Sequence, residues 1–254
     1  MENNSKIALV TGGSRGLGRE MALRLAEKGI HVIVTYQSRK DDAAAVVATI
    51  QQAGQKAAAL QLNVGDVKGF DAFLEQLKNV LQNTFNAERF DFLINNAGMG
   101  GHALISETSE VLFDELMNTH FKGVFFLTQK TLPLLNDGGG IVNISSGLAR
   151  ATMPGASAYG ALKGAVEVFT RYLALEVGAR KIRANVVAPG AIATDFNGGI
   201  VRDNEQVNKM VADATALGRV GVAEDIGGVV AFLCTEDARW VNAQRIEVSG
   251  GMRL

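Results

Sequence analysis

The chain has 254 residues, with 25 Lys and Arg against 26 Asp and Glu, a net charge of −1 and 47% hydrophobic residues. This balance argues against a nucleic-acid surface or an electrostatic membrane anchor, and no apolar run approaches the ~20 residues needed to cross a bilayer. Cys234 is the only cysteine, so neither a disulfide framework nor a cysteine-based metal site is expected, and core packing is its expected role.

Residues 1–6 carry no signal-peptide core, which leads us to expect a soluble cytoplasmic protein. The apolar run at 7–10 reads as a buried strand, and residues 19–28 read as a helix. Between them stands Thr11-Gly12-Gly13-Ser14-Arg15-Gly16-Leu17-Gly18. A glycine-rich turn joining a strand to a helix lets backbone approach a pyrophosphate and aims free N–H groups at it. The spacing Gly-x3-Gly-x-Gly differs from the commoner G-x-G-x-x-G dinucleotide fingerprint. Further strands are predicted at 31–35, 57–62, 90–94, 140–145, 182–187 and 245–248. They alternate with helices at 41–53, 66–81, 111–135, 158–177 and 224–234. Such alternation predicts a single α/β domain over 1–254: a doubly wound, mainly parallel seven-stranded sheet of Rossmann type with helices on both faces. No linker or composition shift marks a boundary. Ligands bind such sheets outside the carboxyl ends of the strands, where Gly12 to Gly18, Asn95-Asn96-Ala97-Gly98, Ser146 and Pro189-Gly190 all fall.

Past the second strand, an NAD site commonly places an acid that holds the ribose 2′-hydroxyl. Tyr36 stands there, and the first carboxylate is Asp41. Arg15, Ser38, Arg39 and Lys40 are candidates to pair with a 2′-phosphate, so NADP(H) is expected over NAD(H).

Ser146 precedes the pair Tyr159-x-x-x-Lys163 by thirteen residues. Four residues apart on a helix, Tyr159 and Lys163 share one face, and an ammonium there is expected to lower the phenol's pKa. A proton donor and acceptor of this kind suits the interconversion of a carbonyl and an alcohol.

In the order and spacing of the glycine turn, Asn95-Asn96-Ala97-Gly98, Ser146, Tyr159-x3-Lys163 and Pro189-Gly190 with Thr194 beyond, the chain resembles a short-chain dehydrogenase/reductase of the compact ~250-residue kind over its whole length. The resemblance implies catalytic roles for Ser146, Tyr159 and Lys163. It places Gly12, Ser14, Arg15, Gly16, Leu17, Gly18, Ser38, Arg39, Asn63, Val64, Asn96, Ala97, Gly98, Tyr159, Lys163, Pro189, Gly190, Ile192 and Thr194 around the cofactor. Asn63 stands where the family usually has aspartate. Many members also carry a relay asparagine four residues ahead of a Val-Phe pair; aligning on Val124-Phe125 puts His120 there, with Asn118 two residues earlier. His120 is taken as the relay because imidazole donates and accepts protons.

Substrate contacts are expected from 100–106, 147–156 and a lid at 195–218, where Gly198-Gly199 can hinge and Ile200, Val201, Val207, Met210, Val211 and Leu217 offer an apolar face. A general ketone/alcohol reductase is preferred to a 3-oxoacyl-acyl carrier protein reductase, because the turn at 135–138 lacks basic docking residues and only Arg180 could serve. A non-catalytic NADP-sensing protein is disfavoured by the retained tyrosine and lysine. No metal is expected. By analogy, a homo-oligomer, tetramer or dimer, forms through the 111–135 and 158–177 helices, with 248–254 adding a further contact.

Overall fold

The structure, a computed structural model, describes residues 5–253; residues 1–4 of the opening segment and Leu254 of the C-terminal stretch lie outside the described residues. Its strands are β1 (Ile7–Val10), β2 (His31–Tyr36), β3 (Ala57–Gln61), β4 (Phe90–Asn95), β5 (Leu135–Ile144), β6 (Arg183–Pro189) and β7 (Arg245–Val248). They form one parallel sheet in the order β3-β2-β1-β4-β5-β6-β7. The order reverses between β1 and β4, which opens a crevice at the carboxyl edge.

Alternation along each strand divides the core between the two faces. Ala8 and Val10 of β1 join one cluster with Met21 and Leu25 of α1 (Gly16–Glu27), Val46 and Ile50 of α2 (Lys40–Gln52), and Ile226 and Val230 of α9 (Ala223–Leu233). Ile7 and Leu9 join the other with Phe70, Phe73 and Leu77 of α3 (Phe70–Val80), Leu127 of α5 (Gly123–Thr131), and Leu173 of α6 (Ser157–Glu176). Cys234 is buried in the first cluster, and burial pushes its thiol up to about 12, as core packing requires.

The helix expected at 111–135 is broken. It runs as α4 (Glu110–Met117), a π-helical turn Asn118–Lys122, α5 and a 3-10 turn Leu132–Leu134. Leu135 already belongs to β5, opposite Phe90, and the ladder resumes at Phe92 opposite Gly140 after an irregularity. The stretch Asn136-Asp137-Gly138-Gly139 is therefore strand rather than the expected turn. A side chain at Gly139 would strike the Asp91 carbonyl, so only glycine lets the strands approach there.

The 195–218 segment comprises a 3-10 turn Phe196–Gly199, α7 (Ile200–Asp203) and α8 (Glu205–Asp213). Of its expected apolar face only Val211 is buried; Ile200, Met210 and Leu217 are exposed. Among the described residues no helix is long and apolar enough to cross a membrane.

Candidate active site

Bracing within the β1–α1 turn sets the floor of the crevice. Thr11 Oγ1 accepts from Asn96 N at 2.9 Å and Ala97 N at 3.0 Å, while Asn96 Nδ2 donates to the Thr11 carbonyl at 2.8 Å. Gly12 N and Gly13 N are held by Thr35 Oγ1 and the Thr35 carbonyl at 3.2 and 2.8 Å. Gly12 has φ +65°, and a Cβ there would lie 2.9 Å from Ala97 Cα. A Cβ on Gly18 would strike the Gly12 carbonyl. Leu17 is half-buried and packs against the first core cluster.

Beyond this floor, α1 begins with no side-chain cap and no acidic residue in its first turn. Its N-terminal N–H groups and dipole therefore suit an anion. A side chain at Gly16 would project towards Thr194, whose Cβ it would reach at 3.8 Å. The residues at this edge thus fit a dinucleotide pyrophosphate. Pro189 ends β6, Gly190 N donates to the Val248 carbonyl at 3.0 Å, and Ile192 is bridged to Gly221. Thr194 Oγ1 accepts from Phe196 N at 3.3 Å.

Several of the residues expected at the periphery of the cofactor make contacts within the protein. Arg15 pairs across the crevice with Asp195 at 3.2 Å, an acid also held by Arg202, and Arg39 pairs with Asp42 at 3.1 Å. Ser14 is half-buried and Ser38 exposed. The Asn63 carboxamide oxygen accepts from Gly65 N at 3.0 Å within its own turn, and Val64 packs against the second core cluster.

Ser146 follows β5; its hydroxyl accepts from Leu148 N at 3.2 Å and stands near enough to the Tyr159 phenol to act on its acidity. Lys163 Nζ lies 5.6 Å from the Tyr159 ring centroid and donates to the Ile144 carbonyl at 2.8 Å. The expected lowering of the tyrosine pKa by lysine is not what the structure has. Burial pushes the phenol up to about 12, with the Ser146 hydroxyl the lowering influence, and burial brings Lys163 down to about 8. Desolvation outweighs a cation that is itself destabilised by the same burial.

His120 sits in the π-turn at 1% exposure, its ring edge-on to Tyr159 with centroids 5.0 Å apart. Nε2 lies 2.7 Å from the Met99 carbonyl and 3.4 Å from Met99 N; the shorter contact needs the proton on Nε2, which assigns Nδ1 as the acceptor. Nδ1 is buried without a protein partner. Burial, then the charge of Lys163, brings this imidazole down to about 3. An imidazole held neutral in this way can accept a hydrogen bond at Nδ1. Gly98 lies against the ring, where a Cβ would be 2.8 Å from His120 Cε1. Among the described residues no His, Cys, Asp and Glu cluster is arranged to hold a metal.

Phe196, at the start of the 195–218 segment, has its ring centroid 6.2 Å from that of Tyr159, and Ala103 N is tied to the Gly155 carbonyl at 3.0 Å, joining two expected substrate loops. Sequence reasoning also missed Asp195 as the partner of Arg15, and a buried group behind Ser146 formed by Ser145, Glu167 and Arg245. No local motif signals either.

A family model described as enoyl-(acyl carrier protein) reductase matches residues 12–253. The chain is 40% identical to an uncharacterized oxidoreductase of Methylorubrum extorquens over 98% of both chains. It is 36% identical to the 3-oxoacyl-[acyl-carrier-protein] reductase FabG of Staphylococcus aureus, over 98% of this chain and 99% of that one. Among solved structures, the angucycline C-6 ketoreductase LanV with bound NADP superposes with a TM-score of 0.93 at 35% identity, covering 99% of this chain and 97% of the other. Glycine turn, serine–tyrosine–lysine group, sheet order and full-length similarity agree: the chain belongs to the short-chain dehydrogenase/reductase family of oxidoreductases acting on C=O and CH–OH groups.

Proposed function

We propose that the protein is an NADP(H)-dependent reductase of ketones, working reversibly on the corresponding alcohols, with Tyr159 as acid/base. The observation that carries this is the buried Lys163 ammonium 5.6 Å from the Tyr159 ring and tied to the Ile144 carbonyl, with Ser146 two residues further along that chain, in a fold whose α1 N-terminus is uncapped. When bound, the nicotinamide supplies the hydride. Negative charge then develops on the substrate oxygen, where Ser146 donates a hydrogen bond and Tyr159 a proton. A phenol held at about 12 keeps its proton at neutral pH, which suits reduction. Lys163, at about 8 still mostly an ammonium at neutral pH, holds positive charge beside the phenolate as it forms, and His120 Nδ1 accepts a hydrogen bond on the path by which the proton is restored.

NADP(H) is the cofactor. Tyr36 replaces the acid that would repel a 2′-phosphate, Arg15 and Arg39 stand where they can exchange Asp195 and Asp42 for it, and the LanV neighbour carries NADP. A free ketone is favoured over an acyl carrier protein thioester. Arg180, the one candidate for docking, is occupied by Asp137, the Leu132 carbonyl and the Leu135 carbonyl. Phe196 beside Tyr159, with Met153 exposed in the 147–156 loop, favours an apolar ketone. The FabG relative keeps 3-oxoacyl thioester reduction as the second reading. The protein works in the cytoplasm, where NADPH is supplied, and as a homo-oligomer through α4–α6.

The test is NADPH oxidation with keto esters, ketosteroids, keto sugars and acyl thioesters, run alongside Tyr159→Phe. Turnover is expected with apolar ketones, and the variant is expected to lose it while still binding NADPH. A variant that keeps most of its kcat would show that the tyrosine is not the acid.

A further inference from the structure

We infer that the buried pair Glu167–Arg245 is a positioning device for the active site: it fixes the backbone at Ser146 against the Lys163 turn of α6, and so sets the reach of the Ser146 hydroxyl towards the reacting oxygen. Arg245 opens β7, and Glu167 lies one turn beyond Lys163. Arg245 Nε is 2.6 Å from Glu167 Oε1, the two side chains being 8% and 11% exposed. Its Nη1 reaches Glu247 Oε2 at 2.7 Å, and its Nη2 donates to the Ser146 carbonyl at 3.4 Å. The Glu167 oxygen that holds Arg245 also accepts from Ser145 Oγ at 2.8 Å, and that hydroxyl lies 3.3 Å from the Lys163 carbonyl. Glu247 closes the opposite side, where a Cβ on Gly147 would sit 3.4 Å from its Oε1. One guanidinium therefore ties β7, α6 and the chain just past β5.

Stability does not account for this arrangement. Burying an ion pair costs desolvation that its attraction only offsets with good geometry, and apolar residues of similar volume often serve as well. What they lack is direction. A guanidinium presents five donors in a rigid planar fork, which fixes angles as well as distances. Ser146 needs such a support because the β5 ladder ends at Ile144, and the last backbone tie before it is Ser145 N–H to the Val187 carbonyl at 2.8 Å. Hydrogen-bond catalysis is sensitive to placement, a misplacement of about 1 Å costing on the order of a hundredfold. Glu167 and Arg245 touch no reacting atom and act through Ser146.

This inference rests on the role proposed for Ser146, and a four-variant cycle separates the two. Wild type, Glu167→Gln, Ser146→Ala and the double variant are compared at saturating NADPH, using the panel ketone that the wild type reduces fastest. Glu167→Gln is expected to lower kcat about tenfold or more, leaving NADPH Kd by fluorescence titration within about twofold. In the Ser146→Ala background the same change is expected to cost less than about twofold. Equal losses in both backgrounds, or an unchanged kcat in Glu167→Gln, overturn the inference. Should Glu167→Gln not fold, Arg245→Lys takes its place; it keeps a cation opposite Glu167 but cannot also span Glu247 and Ser146, and the same coupled loss is expected. Ser146→Ala retaining full kcat sinks the serine's role itself, a result read directly from the single variant.

Discussion

At the scale of single residues, burial decides the electrostatics. His120, Tyr159 and Lys163 all move towards their neutral forms because each charged form is poorly solvated, and the four-residue spacing of Tyr159 and Lys163 does not overcome that. For His120 the consequence is measurable. Its folded value of about 3 lies below its unfolded 6.5, so between those values the unfolded chain binds more protons and stability falls as pH drops. The His120 contribution lost between pH 7 and pH 5 is roughly 2 kcal/mol. His120→Asn is expected to flatten the pH dependence of Tm in that window by this amount. Parallel curves for the two proteins would mean that the imidazole is not held neutral. Arg15 and Arg39 raise a second question of charge. Both are partnered by exposed carboxylates, a weak hold that a phosphate can displace. The double change Arg15→Ala with Arg39→Ala is expected to raise KM for NADPH about tenfold or more while leaving KM for NADH little changed. Equal kcat/KM for both cofactors in the unaltered protein would count against the assignment.

At the scale of elements, the β1–α1 turn is the part most fully written in the sequence. Its glycines mark places where backbone meets backbone, as the Gly18 approach to the Gly12 carbonyl shows. Gly18→Ala is expected to cost about 1–3 kcal/mol by overpacking and to weaken NADPH binding as the turn shifts. Calorimetry and a binding titration check the two effects, and an unchanged Kd would place the cofactor elsewhere. The break at Asn118–Lys122 was not legible, because a π-turn follows from how the helix packs and not from its apolar spacing. The strand character of Asn136 to Gly139 was hidden for a similar reason. Its composition is that of a turn, and only the neighbouring Phe90–Asp91 backbone draws it into the ladder. In the 195–218 segment, Ile200, Met210 and Leu217 match helical spacing yet meet little of the body, because spacing alone does not say what an apolar face packs on.

At the scale of the molecule, α6 presents Val168, Tyr172 and Leu175 as an exposed stripe, 44%, 64% and 81% accessible, at helical spacing. A face of this kind fits association with a second copy. Leu175→Glu is expected to lower the mass measured by light scattering, and an unchanged mass would remove this face from the assembly. The sheet itself joins residues distant in sequence: Asp91 binds Lys6 and Ile7 N, and Asn95 reaches Asn143 and Thr128.

What the amino-acid order determined by itself was the alternation of strands and helices, the glycine turn and the Ser146, Tyr159 and Lys163 group, because local periodicity, backbone permissiveness and short helical spacings are local properties. Strand order, the neutral state of His120, the capture of Arg180 by carbonyls and the Glu167–Arg245 support behind Ser146 were decided only by tertiary structure. Desolvation and long-range hydrogen bonding depend on which segments come to surround a group, and no spacing along the chain encodes those neighbours.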